Sequence, residues 1–350
     1  QTRIAEGSPN MVGLASTHGS PLGQEEIEAT KRNLEYPSLE PFHVEADALD
    51  HWRQCVPRGA QLQETWQEAF EAYRDEFPDL ALELEAVMAG ELPSDWERGI
   101  PDLRDAAATA TRNHSGTVLQ SLAECVPTLV GGSADLGGSN KTDIKASDSL
   151  LPDTPGGRVV HFGVREHAMG GIMNGMALHG GVHPFGGTFL IFSDYVRPSI
   201  RLAALMGIPV TYVLTHDSIG LGEDGPTHQP IEQLMSLRTI PGLLDLRPAD
   251  GPETAEAWRA ALAYRSGPSM LALTRQTVPQ IDRSTTFADA VGLHRGAYVL
   301  ADSATGDLQA ILIASGSEVE VALEARRALS EVGVGARVVS MPSWQLFQSQ

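Results

Sequence analysis

The chain has 350 residues, 42% of them hydrophobic, and its 45 acidic residues outnumber its 25 basic residues to give a formal net charge of −20. Length and composition are typical of a soluble globular protein with two or three domains. The negative charge disfavours nucleic acid and anionic membranes as partners. Two cysteines are too few for a disulfide framework. No run of about 18 apolar residues predicts a membrane helix, and the first residues, QTRIAEGSPN, have no signal-peptide core. We therefore expect a cytoplasmic protein.

The first hundred residues predict loops and charged helices rather than a sheet. A loop rich in Gly, Ser, Pro and His is followed by an acidic helix from Gln24 to Leu34. A second charged helical segment runs from Glu45 to Met88, with breaks expected at Pro57 and Pro78. We interpret residues 1–100 as the tail of one domain and a helical connector.

Residues 101–284 alternate short apolar runs with helical patterns. This alternation is typical of a doubly wound α/β domain, in which helices cover both faces of a parallel sheet. The apolar runs that predict strands begin at Thr128, Arg158, Ile208, Leu243 and Ser269.

Residues 285–350 predict the start of a second α/β domain. Strands are expected at Gln309–Ala314 and Ala336–Ser340, with a helix at Glu318–Glu331 between them. Because a doubly wound domain needs more strands than these, we expect this C-terminal domain to be incomplete.

The segment THDSIGLGEDGPTHQP, residues 215–230, follows the strand predicted from Ile208 and combines two histidines with three carboxylates. Loops at the ends of buried parallel strands are where α/β sheets bind ligands. The donor set alone would suit either a metal ion or a polar substrate.

The sequence GVREH, residues 163–167, opens a predicted helix that is rich in small residues. Glu166 in its first turn would complement the helix dipole. Alternatively, Gly170, Gly171 and Gly175 would let another backbone or a flat ligand approach the helix beside this carboxylate.

Three rings recur at three-residue spacing in GGTFLIFSDY, at Phe189, Phe192 and Tyr195. On a helix or a tight turn they would share one face, either as part of the core or as a pocket for a flat heteroaromatic ring.

Arg112 and Arg275 lie near predicted strand ends. Each alone would be an ordinary surface or ion-pair residue, but together with the loop histidines they would form a cationic pocket for a phosphorylated substrate. The loop GGSADLGGSN, residues 131–140, would add hydroxyls and backbone amides or would be a plain glycine-rich turn.

Four long motifs, in this order, resemble those of transketolases: GVREHAMGGIMNGMALHGG, GGTFLIFSDYVRPSIRLAALMGIPV, THDSIGLGEDGPTHQP and LRPADGPETAEAWRAAL. The resemblance runs from Gly7 to the end of the chain. It implies a thiamine diphosphate-binding pyrimidine domain and transfer of a two-carbon ketol unit from a ketose phosphate to an aldose phosphate in the pentose phosphate pathway. The loop at residues 215–230 fits transketolase better than phosphoketolase or 1-deoxyxylulose-phosphate synthase, which use the same cofactor.

The resemblance also implies roles for individual residues. Glu166 would hydrogen-bond N1′ of the cofactor's aminopyrimidine ring, and His18 and His228 would act near the reacting carbon and the hydroxyls of the donor sugar. The other expected site residues are the ring pocket Phe189, Phe192 and Tyr195, the cofactor neighbour Asp135, the hydroxyl-binding Asp224, and the phosphate-binding Arg112, Ser139, His216 and Arg275.

The sequence departs from the transketolase pattern in two respects. It lacks the Gly-Asp-Gly motif that holds Mg²⁺ or Ca²⁺ on the cofactor diphosphate, so no metal ligand is expected in this chain. Ala15 stands where the family often has a further histidine.

We expect a fragment of a homodimeric enzyme whose active site lies between subunits, and we expect the chain alone to be inactive. The alternative is a natural partial subunit or an inactive relative that acts through binding or assembly with a separate N-terminal partner.

Overall fold

The computed structural model describes residues 2–304 and 306–350. Contacts divide the chain into two units, Gln1–Ala81 and Leu82–Gln350. The helices are α1 (Gln24–Asn33), α2 (Ala46–Arg53), α3 (Cys55–Glu76), α4 (Pro78–Met88), α5 (Thr111–Cys125), α6 (Gly137–Asn140), α7 (Glu166–His179), α8 (Ser193–Met206), α9 (Gln233–Arg238), α10 (Gly251–Ala263), α11 (Glu318–Glu331) and α12 (Trp344–Gln348). The strands are β1 (Leu129–Ser133), β2 (Val159–His161), β3 (His183–Phe189), β4 (Thr211–Thr215), β5 (Leu244–Leu246), β6 (Ser269–Leu273), β7 (Tyr298–Ala301), β8 (Ala310–Ala314) and β9 (Ala336–Ser340).

The N-terminal helices agree with the prediction except at one break. The acidic helix α1 ends at Asn33, and the break before Pro78 is present. The break expected at Pro57 lies slightly earlier, at Gln54 between α2 and α3, and Pro57 lies in the first turn of α3. Proline is tolerated there because the first N–H groups of a helix have no partner within the helix.

The larger unit is built on six parallel strands in the order β2-β1-β3-β4-β6-β5. This sheet confirms the predicted doubly wound α/β class. After β1 the chain turns to β2 on one side and then returns to β3 on the other, so the strand order reverses between β1 and β3. Open α/β sheets bind ligands beside such a reversal, at the carboxyl ends of the strands.

Both faces of this sheet are covered. Along β4, Val213 packs into one apolar cluster with Leu119 of α5 and Trp258 of α10. Its neighbour Tyr212 packs into a second cluster with Met173 of α7. Because successive side chains of a strand point to opposite faces, the alternation at β4 places these clusters on opposite sides of the sheet.

Strand β3 was not predicted, and the alternative of a helix or tight turn holds for Phe192 and Tyr195 but not for Phe189. Phe189 ends the strand, a short 3-10 turn contains Phe192, and Tyr195 lies in the first turn of α8. Glycines allow close approach to this strand: a Cβ at Gly186 would lie 2.6 Å from the sulfur of Met173. A strand interior with glycine and proline has a weak sequence signal.

The last residues form a three-stranded sheet in the order β7-β9-β8. The predicted strands β8 and β9 pair in parallel, α11 connects them, and β7, which was not predicted, adds an antiparallel edge. No helix among residues 2–304 and 306–350 combines the length and apolar character needed to cross a membrane.

Candidate active site

Most of the predicted site residues follow the carboxyl ends of the parallel strands. The sheet therefore gathers side chains that are far apart in the sequence. Asp135 follows β1, Glu166 follows β2, Phe189 ends β3, His216 follows β4 and Arg275 follows β6.

Glu166 occupies one end of this edge, in the first turn of α7. Its side chain is buried, and Oε1 accepts a hydrogen bond of 3.2 Å from Oγ1 of Thr188. This is the only hydrogen bond of the Glu166 carboxylate among the residues that the structure describes. The neighbouring Arg165 donates to the carbonyl of Phe162 instead of pairing with the carboxylate. One carboxylate oxygen of Glu166 is therefore free to bind a ligand.

An open pocket of about 580 Å³ adjoins this carboxylate, and Phe192 and Tyr195 line it together with Glu166. Gly170 on the same helix lets α8 pack closely, since a Cβ there would lie 2.6 Å from the Cβ of Ser199. A buried carboxylate beside two rings fits a flat heteroaromatic ligand that presents a nitrogen to the carboxylate.

The aromatic residues do come together, although they belong to three different elements. The rings of Phe189 and Phe192 are stacked with centroids 5.7 Å apart, and Tyr195 lies 6.2 Å from Phe192. His228 contacts both phenylalanines edge-on, at 5.9 and 5.4 Å. The ring of His216 lies over Phe189 at 3.7 Å. This ring cluster connects the Glu166 pocket to the loop histidines.

The other end of the edge is cationic. Nη1 of Arg112 lies 3.5 Å from Nε2 of His216 and donates to the backbone carbonyl of Ser139 at 3.1 Å. Nε of Arg275 lies 3.7 Å from the carboxylate of Asp224, which lies at the same distance from Nε2 of His216. The predicted phosphate-binding residues are thus neighbours, and Ser139 takes part through its carbonyl.

The two arginines of this end are held differently. Arg275 is tied to the loop, because it donates to the carbonyl of Leu221 at 3.0 Å and to the carboxylate of Glu223 at 2.7 Å. Nε of Arg112 is buried without a hydrogen-bond partner among the described residues. Burial and the positive charge of Arg275 lower the pKa of Arg112. An anion bound between these guanidinium groups would relieve that repulsion.

His216 is almost fully buried and has a left-handed backbone conformation, with φ of 59°. Such a conformation is uncommon outside glycine and persists where the surroundings impose it. Burial and the adjacent Arg112 lower the pKa of His216 to about 4. The imidazole is therefore neutral at pH 7.

The residue after His216 connects the loop, through Arg247, to helix α11. Asp217 accepts a hydrogen bond of 2.7 Å from Nε of the buried Arg247. Arg247 also pairs with Glu318 in the first turn of α11. The Asp217 carboxylate is therefore already paired, and this ion pair holds the start of the loop in place. Within residues 2–304 and 306–350, no group of three or more His, Cys, Asp or Glu side chains could hold a metal ion.

Two further predicted residues are exposed. His18 is exposed in a short 3-10 turn, Ala15–His18, of the N-terminal unit. Asp135 is exposed after β1, with φ of 62°, and its carboxylate has no hydrogen-bond partner among the residues that the structure describes. Their roles stay predictions.

Three buried polar residues were missed at the sequence level: Asn140, Thr188 and Thr215. Nδ2 of Asn140 donates both to the carbonyl of Thr188 and to Oγ1 of Thr215. The available signal was their position, since Thr188 and Thr215 lie at the carboxyl ends of β3 and β4.

Family models match three parts of the chain. They are described as the transketolase thiamine diphosphate binding domain, at residues 1–93, the transketolase pyrimidine binding domain, at 107–280, and the transketolase-like C-terminal domain, at 296–350. The domain divisions predicted near residues 100 and 284 stay predictions.

Curated and solved proteins give the same family. The transketolase of Geobacillus stearothermophilus is 49% identical over the whole chain, which spans only 52% of that relative. A transketolase from Pichia stipitis, solved in complex with sedoheptulose-7-phosphate, is 40% identical with a TM-score of 0.90, and the match covers 100% of this chain and 52% of that one. The chain spans about half the length of the curated relatives it matches.

A third likeness concerns assembly. A structure described as a split gene transketolase, inactive β4 tetramer, is 29% identical with a TM-score of 0.54. The match covers 67% of this chain and 72% of that one.

Proposed function

Because the chain belongs to the transketolase family, we propose that it forms the pyrimidine-binding side of an enzyme that transfers a two-carbon ketol unit between sugar phosphates. The observation that carries this proposal is the pairing of two features on one sheet edge. A buried carboxylate, Glu166, faces a ring-lined pocket, and the ring cluster joins that pocket to the cationic end. Cofactor and phosphorylated substrate would thus meet on one surface.

Glu166 would hold the aminopyrimidine ring of thiamine diphosphate through a hydrogen bond to N1′. When bound, the cofactor supplies the carbon nucleophile that adds to the ketose carbonyl. Thr188 fixes one oxygen of Glu166, leaving the other for the ring. Phe189, Phe192 and Tyr195 would pack against the ring and exclude water from the carboxylate.

His228 would move protons at the sugar hydroxyl and carbonyl oxygens. It belongs to the loop at residues 215–230 and contacts the rings of Phe189 and Phe192. Its Nδ1 is 2.9 Å from Oγ1 of Thr227, which leaves Nε2 for the substrate. We assign the matching proton-transfer role near the donor hydroxyls to His18, and a position close to the cofactor to Asp135, on family resemblance.

Arg112, Ser139, His216 and Arg275 would bind the substrate phosphate, and Asp224 would read a sugar hydroxyl. The distances among these residues support a shared anion site. Binding energy from this remote phosphate would orient the reacting carbon.

The partner proposed for this surface is a second subunit, as in a homodimer. Beside the Glu166 pocket, Val164 is 76% exposed and Tyr195 is 62% exposed, and an uncovered apolar area next to a site favours a protein contact. Mg²⁺ or Ca²⁺ would be held by residues that this chain does not supply, since its 350 residues contain no Gly-Asp-Gly motif. Both cysteines are free, which fits a cytoplasmic location.

The test is a ketol-transfer assay of the full-length product of the gene, with a ketose phosphate donor and an aldose phosphate acceptor. Activity should require both thiamine diphosphate and Mg²⁺ or Ca²⁺. The 350-residue chain alone should show none. Absence of transfer by the full-length product would refute the proposal, and turnover by the chain alone would refute the need for further residues.

One observation favours a second candidate, a natural partial subunit that acts through assembly. It is the likeness to the structure described as an inactive tetramer of a split gene transketolase. Intact mass and the flanking coding sequence separate the two candidates, because a start codon and a stop codon at the ends of this segment would support the partial subunit.

A further inference from the structure

A chain of buried hydrogen bonds lies under the cationic end of the site. Asn140, Thr188 and Thr215 are fully buried, and His216 is 2% exposed. Nδ2 of Asn140 is 3.0 Å from the carbonyl oxygen of Thr188 and 2.7 Å from Oγ1 of Thr215. Oγ1 of Thr215 is in turn 2.9 Å from Nδ1 of His216. Gly187 makes room for this arrangement, since a Cβ there would lie 3.1 Å from the Cβ of Asn140.

The direction of each hydrogen bond follows from one group that can only accept. The carbonyl of Thr188 has no hydrogen, so the amide nitrogen of Asn140, and not its oxygen, must face it. The second hydrogen of the same nitrogen then points to Oγ1 of Thr215. The opposite orientation of the amide would place its oxygen against the carbonyl.

Thr215 therefore accepts from Asn140 and has one hydroxyl hydrogen left to donate. Among the described residues, the acceptor within reach is Nδ1 of His216. If Nδ1 accepts, the hydrogen of the neutral imidazole must be on Nε2. The low pKa of His216, caused first by burial, keeps the ring in this neutral form at pH 7.

Nε2 faces the cationic end, where its two neighbours favour opposite tautomers. Nη1 of Arg112, 3.5 Å away, can only donate and would need an unprotonated Nε2, whereas Oδ2 of Asp224, 3.7 Å away, can only accept and fits Nε2–H. The 2.9 Å contact between Oγ1 of Thr215 and Nδ1 is shorter than either and decides the tautomer. With its hydrogen on Nε2, His216 adds a donor beside the guanidinium of Arg112. With the hydrogen on Nδ1, the ring would instead present a lone pair there and repel an anionic oxygen.

We propose that Asn140 and Thr215 are positioning residues that hold His216 in the Nε2–H tautomer, so that His216 donates to an anionic oxygen of the substrate. The substrate part of this inference rests on the proposed function. The tautomer part concerns only residues of this chain.

The direct test is nitrogen NMR of the 350-residue chain labelled with ¹⁵N-histidine, at pH 7, with His216→Asn to assign the signals. We expect a protonated Nε2 and an unprotonated Nδ1 in the unsubstituted chain. A protonated Nδ1 would overturn the proposal without the need for any further variant.

A set of threonine variants tests whether the hydroxyl of Thr215 determines the tautomer of His216. Thr215→Val keeps the shape but removes the hydroxyl, so the Nδ1–H form should appear, whereas Thr215→Ser should restore the Nε2–H form. Thr211→Val at the start of β4 is the matched control and should leave the tautomer unchanged. An unchanged tautomer in Thr215→Val would overturn the role of Thr215.

Kinetics separate this inference from the proposed function. In the full-length enzyme, Thr215→Val should raise KM for a phosphorylated donor about threefold to tenfold, the usual effect of one hydrogen bond, with kcat retained. Thr215→Ser should recover most of that loss. If Thr215→Val changes the tautomer as expected but leaves KM unchanged, His216 does not donate to the substrate. The tautomer assignment would still be correct.

Discussion

The two ends of the candidate site are built in opposite ways. At the Glu166 end, one carboxylate has a single hydrogen bond and faces an open pocket. At the other end, Arg275 has two hydrogen bonds to the loop, and its neighbours His216 and Asp224 lie within 3.7 Å of each other. An open carboxylate suits a ring that arrives as a separate molecule. A prearranged charge cluster suits the recognition of a substrate anion.

Removing the carboxylate at the first end should have the largest effect. Glu166→Gln keeps the size of the side chain but cannot act as an acid or a base, so we expect kcat of the full-length enzyme to fall about a thousandfold. Melting temperature should change little. Near-normal turnover would show that Glu166 does not have this role.

At the second end, Arg275→Ala should discriminate between substrates. Loss of a charge-assisted contact to phosphate should lower kcat/KM for a phosphorylated donor about 10- to 100-fold. A donor without phosphate is the control and should lose much less. Equal losses for both donors would mean that Arg275 acts only by holding the loop through Leu221 and Glu223.

Thr188→Val should separate the two ends of the site, with a smaller effect on kinetics than Arg275→Ala. The hydroxyl of Thr188 donates to Glu166, whereas its carbonyl belongs to the hydrogen-bond chain under the cationic end. Because valine keeps the carbonyl, we expect kcat to fall about threefold to tenfold while KM for the phosphorylated donor stays the same. A rise in KM with unchanged kcat would contradict this separation.

The last prediction concerns the pH dependence of stability. The pKa of His216 is about 4 in the folded chain, against its ordinary value of 6.5. Between these two values the unfolded chain binds a proton that the folded chain does not, so the free energy of unfolding decreases as pH falls from 6.5 to 4.

The free energy of unfolding, measured with urea at several pH values across this range, should therefore depend less steeply on pH in His216→Asn. A second buried histidine, His183, also has a pKa lowered to about 4 by burial, so part of the slope should remain in that variant. An identical slope in His216→Asn and the unsubstituted chain would contradict the neutral state assigned to His216.

Strands that are mainly apolar runs were predictable from the sequence. Strands β4 and β6 are buried along their whole length, and both were predicted. Strand β3 was hidden because Pro184, Gly186 and Gly187 interrupt the apolar pattern. The structure shows why glycine is needed there, since Met173 and Asn140 pack against the backbone of this strand.

Local motifs and the resemblance supplied the candidate site residues, but not the buried residues that contact them. Asn140 lies 48 residues from Thr188 and 75 residues from Thr215, and no local pattern connects them. Their contacts arise because the carboxyl ends of β3 and β4 are adjacent in the sheet. The sequence likewise could not predict that the backbone carbonyl of Ser139, rather than its hydroxyl, contacts Arg112.

The most direct test of the two-ended site is a crystal structure of the full-length protein with thiamine diphosphate and a ketose phosphate. We predict that N1′ of the aminopyrimidine lies within about 3.2 Å of a carboxylate oxygen of Glu166. The substrate phosphate should contact Arg112 and Arg275 in the same structure. A cofactor ring bound away from Glu166, or a phosphate bound away from both arginines, would contradict the account.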